Sequence, residues 1–269
     1  MMMTFSNKVV AVTGGTEGIG KALVQLLLAQ GANVATCGRN QDKLYKLQLE
    51  HPTSPLHVVV ADVSIHEDCQ KFIQSTLKTF GKIDVLINNA GISMRAMVQD
   101  LDMSVLERVM NVNFWGSVYC TKLALPSIIA NKGTIVGVSS IAGYRGLPGR
   151  SGYSASKFAL QGWLEALRTE LLDSGVNVMW VCPGFTASNI RNAALNKEGK
   201  AQGETPLDES SLMTAEECAM HILHAIEKRK RTLVLTFTGK RTVFMNKFFP
   251  SLTDKLTRNF FFKNGVLVK

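Results

Sequence analysis

Short runs rich in Val and Ile alternate with longer amphipathic stretches along almost the whole chain, and this rhythm restricts the fold more than any other feature. The short runs lie at 9–13, 33–37, 57–61, 85–88, 134–139, 177–182 and 232–236. They carry few charges, as strands covered on both faces should. Helical patterns fill the intervals at roughly 19–30, 41–50, 65–80, 105–129, 153–173 and 215–228. Strict β–α alternation predicts an α/β fold: a doubly wound, Rossmann-type parallel sheet of about seven strands with right-handed crossovers and helices on both faces. Capping boxes are expected where a hydroxyl precedes a Glu by three residues, at Ser64/Glu67, Ser104/Glu107 and Thr214/Glu217. Gly31 and Gly81 suit helix ends.

The 269 residues suffice for one large domain, and no linker or repeat divides them. We expect a catalytic domain over 1–239, with a polar lid near 188–213 that carries Gly199, Gly203 and Pro206, and a C-terminal extension over 240–269. No apolar run approaches the roughly 18 residues of a membrane span. The N-terminal MMMTFSNKVVAV lacks the features of a signal peptide. The five cysteines are scattered without a C-x-x-C pair, which suits a reducing cytoplasm and offers neither disulfide framework nor zinc site. His221 and His224 share a helix face but have no companion ligand, so no metal is expected.

The first strand runs directly into Thr13-Gly14-Gly15-Thr16-Glu17-Gly18-Ile19-Gly20, and a helix follows. Glycines at such a turn let the backbone approach a pyrophosphate, which then rests on the helix N-terminus. The second strand ends at Cys37-Gly38-Arg39, with no acid to bind a ribose 2′-hydroxyl. Arg39 could pair with a 2′-phosphate instead, favouring NADP(H) over NAD(H), or could simply be a solvated residue heading the next helix. Asp62 and Val63 close the third strand. Asp62 could accept from an adenine amino group, with Val63 against the ring, or it could cap its own turn.

Tyr153-Ser154-Ala155-Ser156-Lys157 places a phenol and an amine on one helix face. A neighbouring ammonium stabilises phenolate, so the spacing predicts an acidified Tyr153 able to pass a proton to a carbonyl. Ser140 ends a strand thirteen residues earlier and can help polarise that carbonyl.

With these motifs in this order, residues 8–236 resemble the short-chain dehydrogenase/reductase family. The resemblance rests on TGGTEGIG at 13–20, NNAG at 88–91, Asn113 in N-V-N-F, Ser140, Y-S-A-S-K at 153–157 and Pro183-Gly184. It implies that Tyr153 is the acid–base residue, that Lys157 tunes it and binds the nicotinamide ribose, and that Ser140 orients the carbonyl. It further implies that Asn113 holds a water relaying protons to Lys157. Gly14, Thr16, Glu17, Gly18, Ile19 and Gly20 would cradle the cofactor. Asn89, Ala90 and Gly91 would line it, and Pro183, Gly184, Thr186 and Ser188 would meet its nicotinamide. Glu17 departs from NADP-using members that carry a base there, which leaves Arg39 to act largely alone.

The substrate side is expected at Ser93, Met94, Met97, Tyr144, Leu147, Pro148 and 185–195 including Phe185, with Arg145 and Arg191 near the rim. These are mainly apolar, which suits a lipophilic ketone or alcohol such as a 3-keto lipid or a steroid-like compound. A catalytically silent cofactor sensor or scaffold, and a membrane-surface adaptor, are the rival readings. The family resemblance implies a homodimer or homotetramer formed through the helices at 105–129 and 153–173.

Residues 228–269 hold eleven Lys or Arg and one acid, Asp254, whereas the rest of the chain is almost neutral. That balance argues against nucleic acid as a partner of the body. Phe244, Phe248, Leu252 and Leu256 recur every four residues, with Pro250 dividing the segment into two short helices. This face packs on the body, lies on an anionic membrane surface peripheral to a cytoplasmic enzyme, or, as the least favoured reading, binds nucleic acid.

Overall fold

The computed structural model describes residues 5–205 and 212–268. Its centre is one seven-stranded sheet of β1 (Val9–Thr13), β2 (Asn33–Gly38), β3 (Leu56–Val60), β4 (Val85–Asn88), β5 (Thr134–Val138), β6 (Asn177–Cys182) and β7 (Thr232–Val234). Every pairing is parallel and the order is β3-β2-β1-β4-β5-β6-β7. The order reverses between β1 and β4. In an open parallel sheet, ligands bind outside the strand C-termini at such a point.

Helices α1 (Gly18–Ala29), α2 (Gln41–Glu50), α3 (His66–Phe80), α4 (Met103–Met110), α5 (Gly116–Ala130), α6 (Ser151–Glu170) and α7 (Ala215–Glu227) connect the strands. Alternate strand residues face opposite layers, as a period of two requires. Val10, Val12, Val136 and Val181 meet Leu23 and Leu27 of α1 and Ile222 and Leu223 of α7 on one side. Ala11, Leu86, Ile135 and Val178 meet Phe72 of α3, Ile128 of α5 and Leu164 of α6 on the other. Each of the Val, Leu, Ile and Phe side chains contributes roughly 1.5–3 kcal/mol by leaving water.

Three sequence expectations are corrected. The helix expected over 105–129 is interrupted by a π-helical turn, Asn111–Trp115, between α4 and α5. The extra residue in that turn is the local deformation that carries Asn113, and π-bulges often mark functional positions. Of the three expected capping boxes, Thr214 with Glu217 is the complete one. Ser64 instead donates to the Asp62 carboxylate, and Ser104 N–H donates to Asp102, which caps α4. Asp102 reaches the free amide at the start of α4, while α3 begins after Ile65 with no side-chain cap.

The C-terminal segment forms α8 (Phe237–Phe248) and α9 (Pro250–Phe261), then a small hairpin of β8 (Phe262–Lys263) and β9 (Val266–Leu267). It is attached to the body by polar contacts and by the aromatic end of α9, where Phe260 stacks on Phe185 with ring centres 6.3 Å apart. Arg145 donates to Asn246 and pairs with Asp254, and Asn246 Nδ2 donates to the Tyr144 carbonyl at 2.8 Å. Phe261 is buried, but Phe244, Phe248, Leu252 and Leu256 all stay about half exposed. The apolar stripe is therefore not what packs on the body.

Candidate active site

A cleft of about 380 Å³ opens at the switch point between β1 and β4, and most of the residues singled out in the sequence line it. At its centre the backbone of β1 turns sharply. Gly14 and Gly18 take positive φ angles of 71° and 51°, which only glycine adopts without strain. A Cβ on Gly20 would stand 2.1 Å from the Gly14 carbonyl oxygen, so a side chain there would destroy the turn. The NNAG run holds this turn from the neighbouring strand. Thr13 Oγ1 accepts from the N–H groups of Asn89 and Ala90, both at 3.0 Å. Asn89 Nδ2 returns two bonds, to the carbonyls of Thr13 and Gly14 at 2.9 and 3.1 Å. The result is a glycine-lined hollow at the N-terminus of α1, shaped for a pyrophosphate.

At one end of the cleft lie Arg39, Asp62 and Val63. Asp62 does cap its own turn: Oδ1 accepts from Ser64 N and Oγ at 3.0 and 2.7 Å. Its other oxygen, Oδ2, is 3.8 Å from Arg39 Nη1. Arg39 is half exposed and lies on the cleft edge. Glu17 is ion-paired with Lys43 of α2, so its charge is offset by a second cation that the sequence reading did not single out. Lys43 lies four residues after Arg39, in the first turn of α2.

At the other end Ser140, Tyr153 and Lys157 come together. Ser140 leaves β5 and caps a short turn, its Oγ accepting from Ala142 N at 3.1 Å. Its hydroxyl lies close enough to the Tyr153 phenol to favour the ionised form. Lys157 Nζ donates to the Val138 carbonyl at 2.8 Å and lies 5.6 Å from the Tyr153 ring centre. Burial pushes the Lys157 ammonium down to about 8. Burial also pushes the Tyr153 phenol above its ordinary value, and the Ser140 hydroxyl with the positive Arg150 and Arg191 only partly offsets this. The acidified phenol expected from the spacing is thus corrected: desolvation outweighs the cations. A phenol that keeps its proton at neutral pH is suited to donate it.

Asn113 is fully buried. Its Nδ2 donates to Ile92 O and to Ser156 Oγ, both at 2.9 Å, while Oδ1 accepts from Ile92 N at 2.8 Å. Both N–H groups are committed, which leaves one oxygen lone pair. A Cβ on Gly91 would stand 3.3 Å from Asn113 Oδ1 and 3.5 Å from Lys157 Nζ, so this glycine keeps the space between them open. Pro183, Gly184, Thr186 and Ser188 line the cleft from above β6. Ser188 sits over the glycine turn, its Cβ 3.3 Å from where a Cβ on Gly18 would be. The lid expected at 188–213 is described only through 205 and from 212, since 206–211 fall outside the described residues.

Of the substrate residues, Ser93, Leu147 and Phe185 line the cleft beside Tyr153, and so does Arg191. Met94 does not: it is buried among Ala96, Val105, Val109 and Leu195. Tyr144 does not either, because its hydroxyl accepts from Trp180 Nε1 at 3.0 Å. Arg145, Met97 and Pro148 border a separate cavity toward the tail. Arg150 was missed. It lies one turn before Tyr153, and that interval could have revealed it. Among the described residues, no three His, Cys, Asp or Glu side chains gather as a metal-ligating group.

A parallel sheet with a glycine-lined hollow and a proton donor at one switch point defines a dinucleotide-dependent oxidoreductase. A family model for short chain dehydrogenases matches residues 8–199. Dehydrogenase/reductase SDR family member 7B of Xenopus laevis is 35% identical over 254 residues, spanning 91% of this chain and 79% of that protein. The 11-beta-hydroxysteroid dehydrogenase-like 4A protein of Arabidopsis thaliana is 35% identical over 243 residues, spanning 89% and 79%. A short chain dehydrogenase/reductase from Burkholderia phymatum, solved with NAD, superposes with a TM-score of 0.83 at 22% identity over 93% of this chain and 96% of that one. The chain belongs to the short-chain dehydrogenase/reductase family, oxidoreductases acting on CH–OH and C=O groups with a nicotinamide cofactor.

Proposed function

We propose that this chain is an NADP(H)-dependent oxidoreductase that interconverts a lipophilic ketone and its secondary alcohol. The observation that carries the reading is the meeting of Ser140, Tyr153 and Lys157 in the cleft that also holds the glycine turn and Arg39. When bound, the nicotinamide supplies or accepts the hydride. The chain's own groups do the rest. Ser140 orients the carbonyl oxygen, Tyr153 gives it a proton, and the Lys157 ammonium holds the ribose hydroxyls. Ile92, Val112, Leu147, Phe185 and Ile190 give the cleft apolar walls, which favours a lipophilic substrate. The name of the Arabidopsis relative points toward a steroid-like ketone.

For the cofactor, the pairing of Glu17 with Lys43 removes an obstacle to a 2′-phosphate, and Arg39 provides the fork to bind it. The test is loss of the reduced-nicotinamide absorbance across a panel of steroid and acyl ketones. Wild-type protein is expected to prefer NADPH. Arg39→Ala should raise KM for NADPH by about tenfold or more while changing KM for NADH little, as loss of one charge-assisted pair predicts. An unchanged ratio of the two cofactors would remove Arg39 from the reading.

The C-terminal helices fit peripheral contact with an anionic membrane from the cytoplasmic side. Among the described residues, no helix is long and apolar enough to cross a membrane. Phe244, Phe248, Leu252 and Leu256 form a half-exposed apolar stripe, and Lys240, Arg241, Lys247, Lys255 and Arg258 accompany it. Aromatic groups with basic neighbours enter the headgroup region, and each Lys or Arg adds about 1 kcal/mol on an anionic surface. Full-length protein should float with phosphatidylserine vesicles, and the combined Phe248→Ser, Leu252→Ser, Leu256→Ser variant should remain in the soluble fraction. Trp115 and Phe158 are also exposed, on the π-turn before α5 and on α6, which supports self-association through these two helices.

A further inference from the structure

We infer that the substrate carries an anionic group, a carboxylate or a phosphate monoester, which binds Arg150 at the wall of the cleft beside Tyr153. The inference rests on the reductase reading of this cleft and narrows its substrate class.

Arg150 stands at the N-terminus of α6, three residues before Tyr153, and lines the same cleft as Ser140, Tyr153 and Arg191. Its guanidinium is placed 5.4 Å from the centre of the Phe261 ring. Nη1 is buried with no hydrogen-bond partner. No ion pair to Arg150 exists among the described residues. The nearby charges make its position less favourable still: burial, Arg95 and Arg191 together push Arg150 down to about 10. It remains a cation at neutral pH.

Its neighbours are already engaged. Arg95 pairs with Glu204 at 3.5 Å, and Arg191 Nη2 donates to the Thr186 carbonyl at 2.9 Å. Arg145, the cation expected at the rim, is held by Asp254 and Asn246 of the tail. Among the cations near Tyr153, Arg150 is therefore the one that lines the cleft with a buried donor unspent.

A buried charge without a partner is destabilising, and the remedy is a counter-charge in the same space. Such a charge cannot come from the pyrophosphate, whose hollow lies at Gly14–Gly20, nor from a 2′-phosphate, whose partner is Arg39 at the adenine end. Among the described residues no carboxylate supplies it, so the charge is assigned to the molecule that meets Tyr153. The planar fork of arginine suits a carboxylate or phosphate, and the Phe261 ring keeps it oriented. The apolar walls and this one cation describe an amphiphile: an acyl or polycyclic body with an acidic group and a carbonyl.

The experiment is calorimetric titration of the NADP⁺-loaded full-length protein with decanoate, decyl phosphate and decanol. Decanoate or decyl phosphate should bind roughly ten- to a hundredfold more tightly than decanol, the range for a charge-assisted hydrogen bond. Whichever anion binds better identifies the acidic group. Arg150→Met should erase the preference, and Arg150→Lys should retain part of it. Unchanged NADPH affinity in both variants shows that the fold survives. Equal binding of decanol and the anions, a preference that persists in Arg150→Met, or no binding of any of the three overturns the inference. Turnover is not read in this test, so it stands apart from the reductase reading: Tyr153→Phe should keep the anion preference while losing activity.

Discussion

Tyr153→Phe is expected to lower turnover about a thousandfold, within the range general acid catalysis supplies, while NADPH binding changes less than about threefold. The change deletes one oxygen. The ring stays, so its packing and the course of α6 are preserved, and the Lys157 bond to Val138 O at 2.8 Å does not depend on the phenol. What disappears is the proton donor beside Ser140 in the cleft. The pH behaviour separates this role from a merely structural one. Burial holds the phenol above its ordinary value, so reduction should run evenly through neutral pH. In the oxidative direction the phenol must first be deprotonated, so that rate should climb with pH toward the raised value. Single-turnover kinetics in both directions, with fluorescence titration of NADPH, provide the measurement. Turnover within tenfold of wild type in Tyr153→Phe would mean that the proton comes from elsewhere.

Much of this site is visible before folding because its parts are local. The glycine turn is contiguous in the chain, and Tyr153 with Lys157 requires only the helical period. The strand pattern placed all seven sheet strands to within a few residues because Val- and Ile-rich runs such as Val9–Thr13 have no other way to bury both faces. What remained hidden is set by distant contacts. Met94 reads as a pocket residue until Val105, Val109 and Leu195 close around it. Tyr144 reads the same way until Trp180 claims its hydroxyl. The charge state of Tyr153 depends on burial and on Arg191, thirty-eight positions away in the chain, which a four-residue spacing cannot express. The π-turn at Asn113 leaves no periodicity signal because it shifts the helix by only one residue.

Lys157→Met is expected to stop turnover and at the same time to stabilise the cofactor-free protein. Lys157 is almost wholly buried, and burial depresses its ammonium from 10.5 to about 8. A depressed value on a basic group means the folded state resists the proton that the unfolded chain holds. Stability is therefore lost as pH falls from 10.5 toward 8, and below that the full penalty applies, roughly 3 kcal/mol at neutral pH. Methionine removes the charge and keeps most of the apolar stem. Against this, the Val138 carbonyl loses a donor, which costs about 1 kcal/mol. The balance favours the variant by about 2 kcal/mol, a rise of roughly 5 °C in melting temperature for a domain of this size. The gain should shrink as pH is raised from 8 toward 10.5, where the wild-type amine is already neutral. Scanning calorimetry of the cofactor-free proteins across that interval tests the argument, and a variant that melts lower at pH 7 would show that Lys157 is held for the fold. A rise would show the opposite: the ammonium is kept at an energetic loss because the ribose hydroxyls and the proton path to Tyr153 require it, with activity and stability drawn in opposite directions by one side chain.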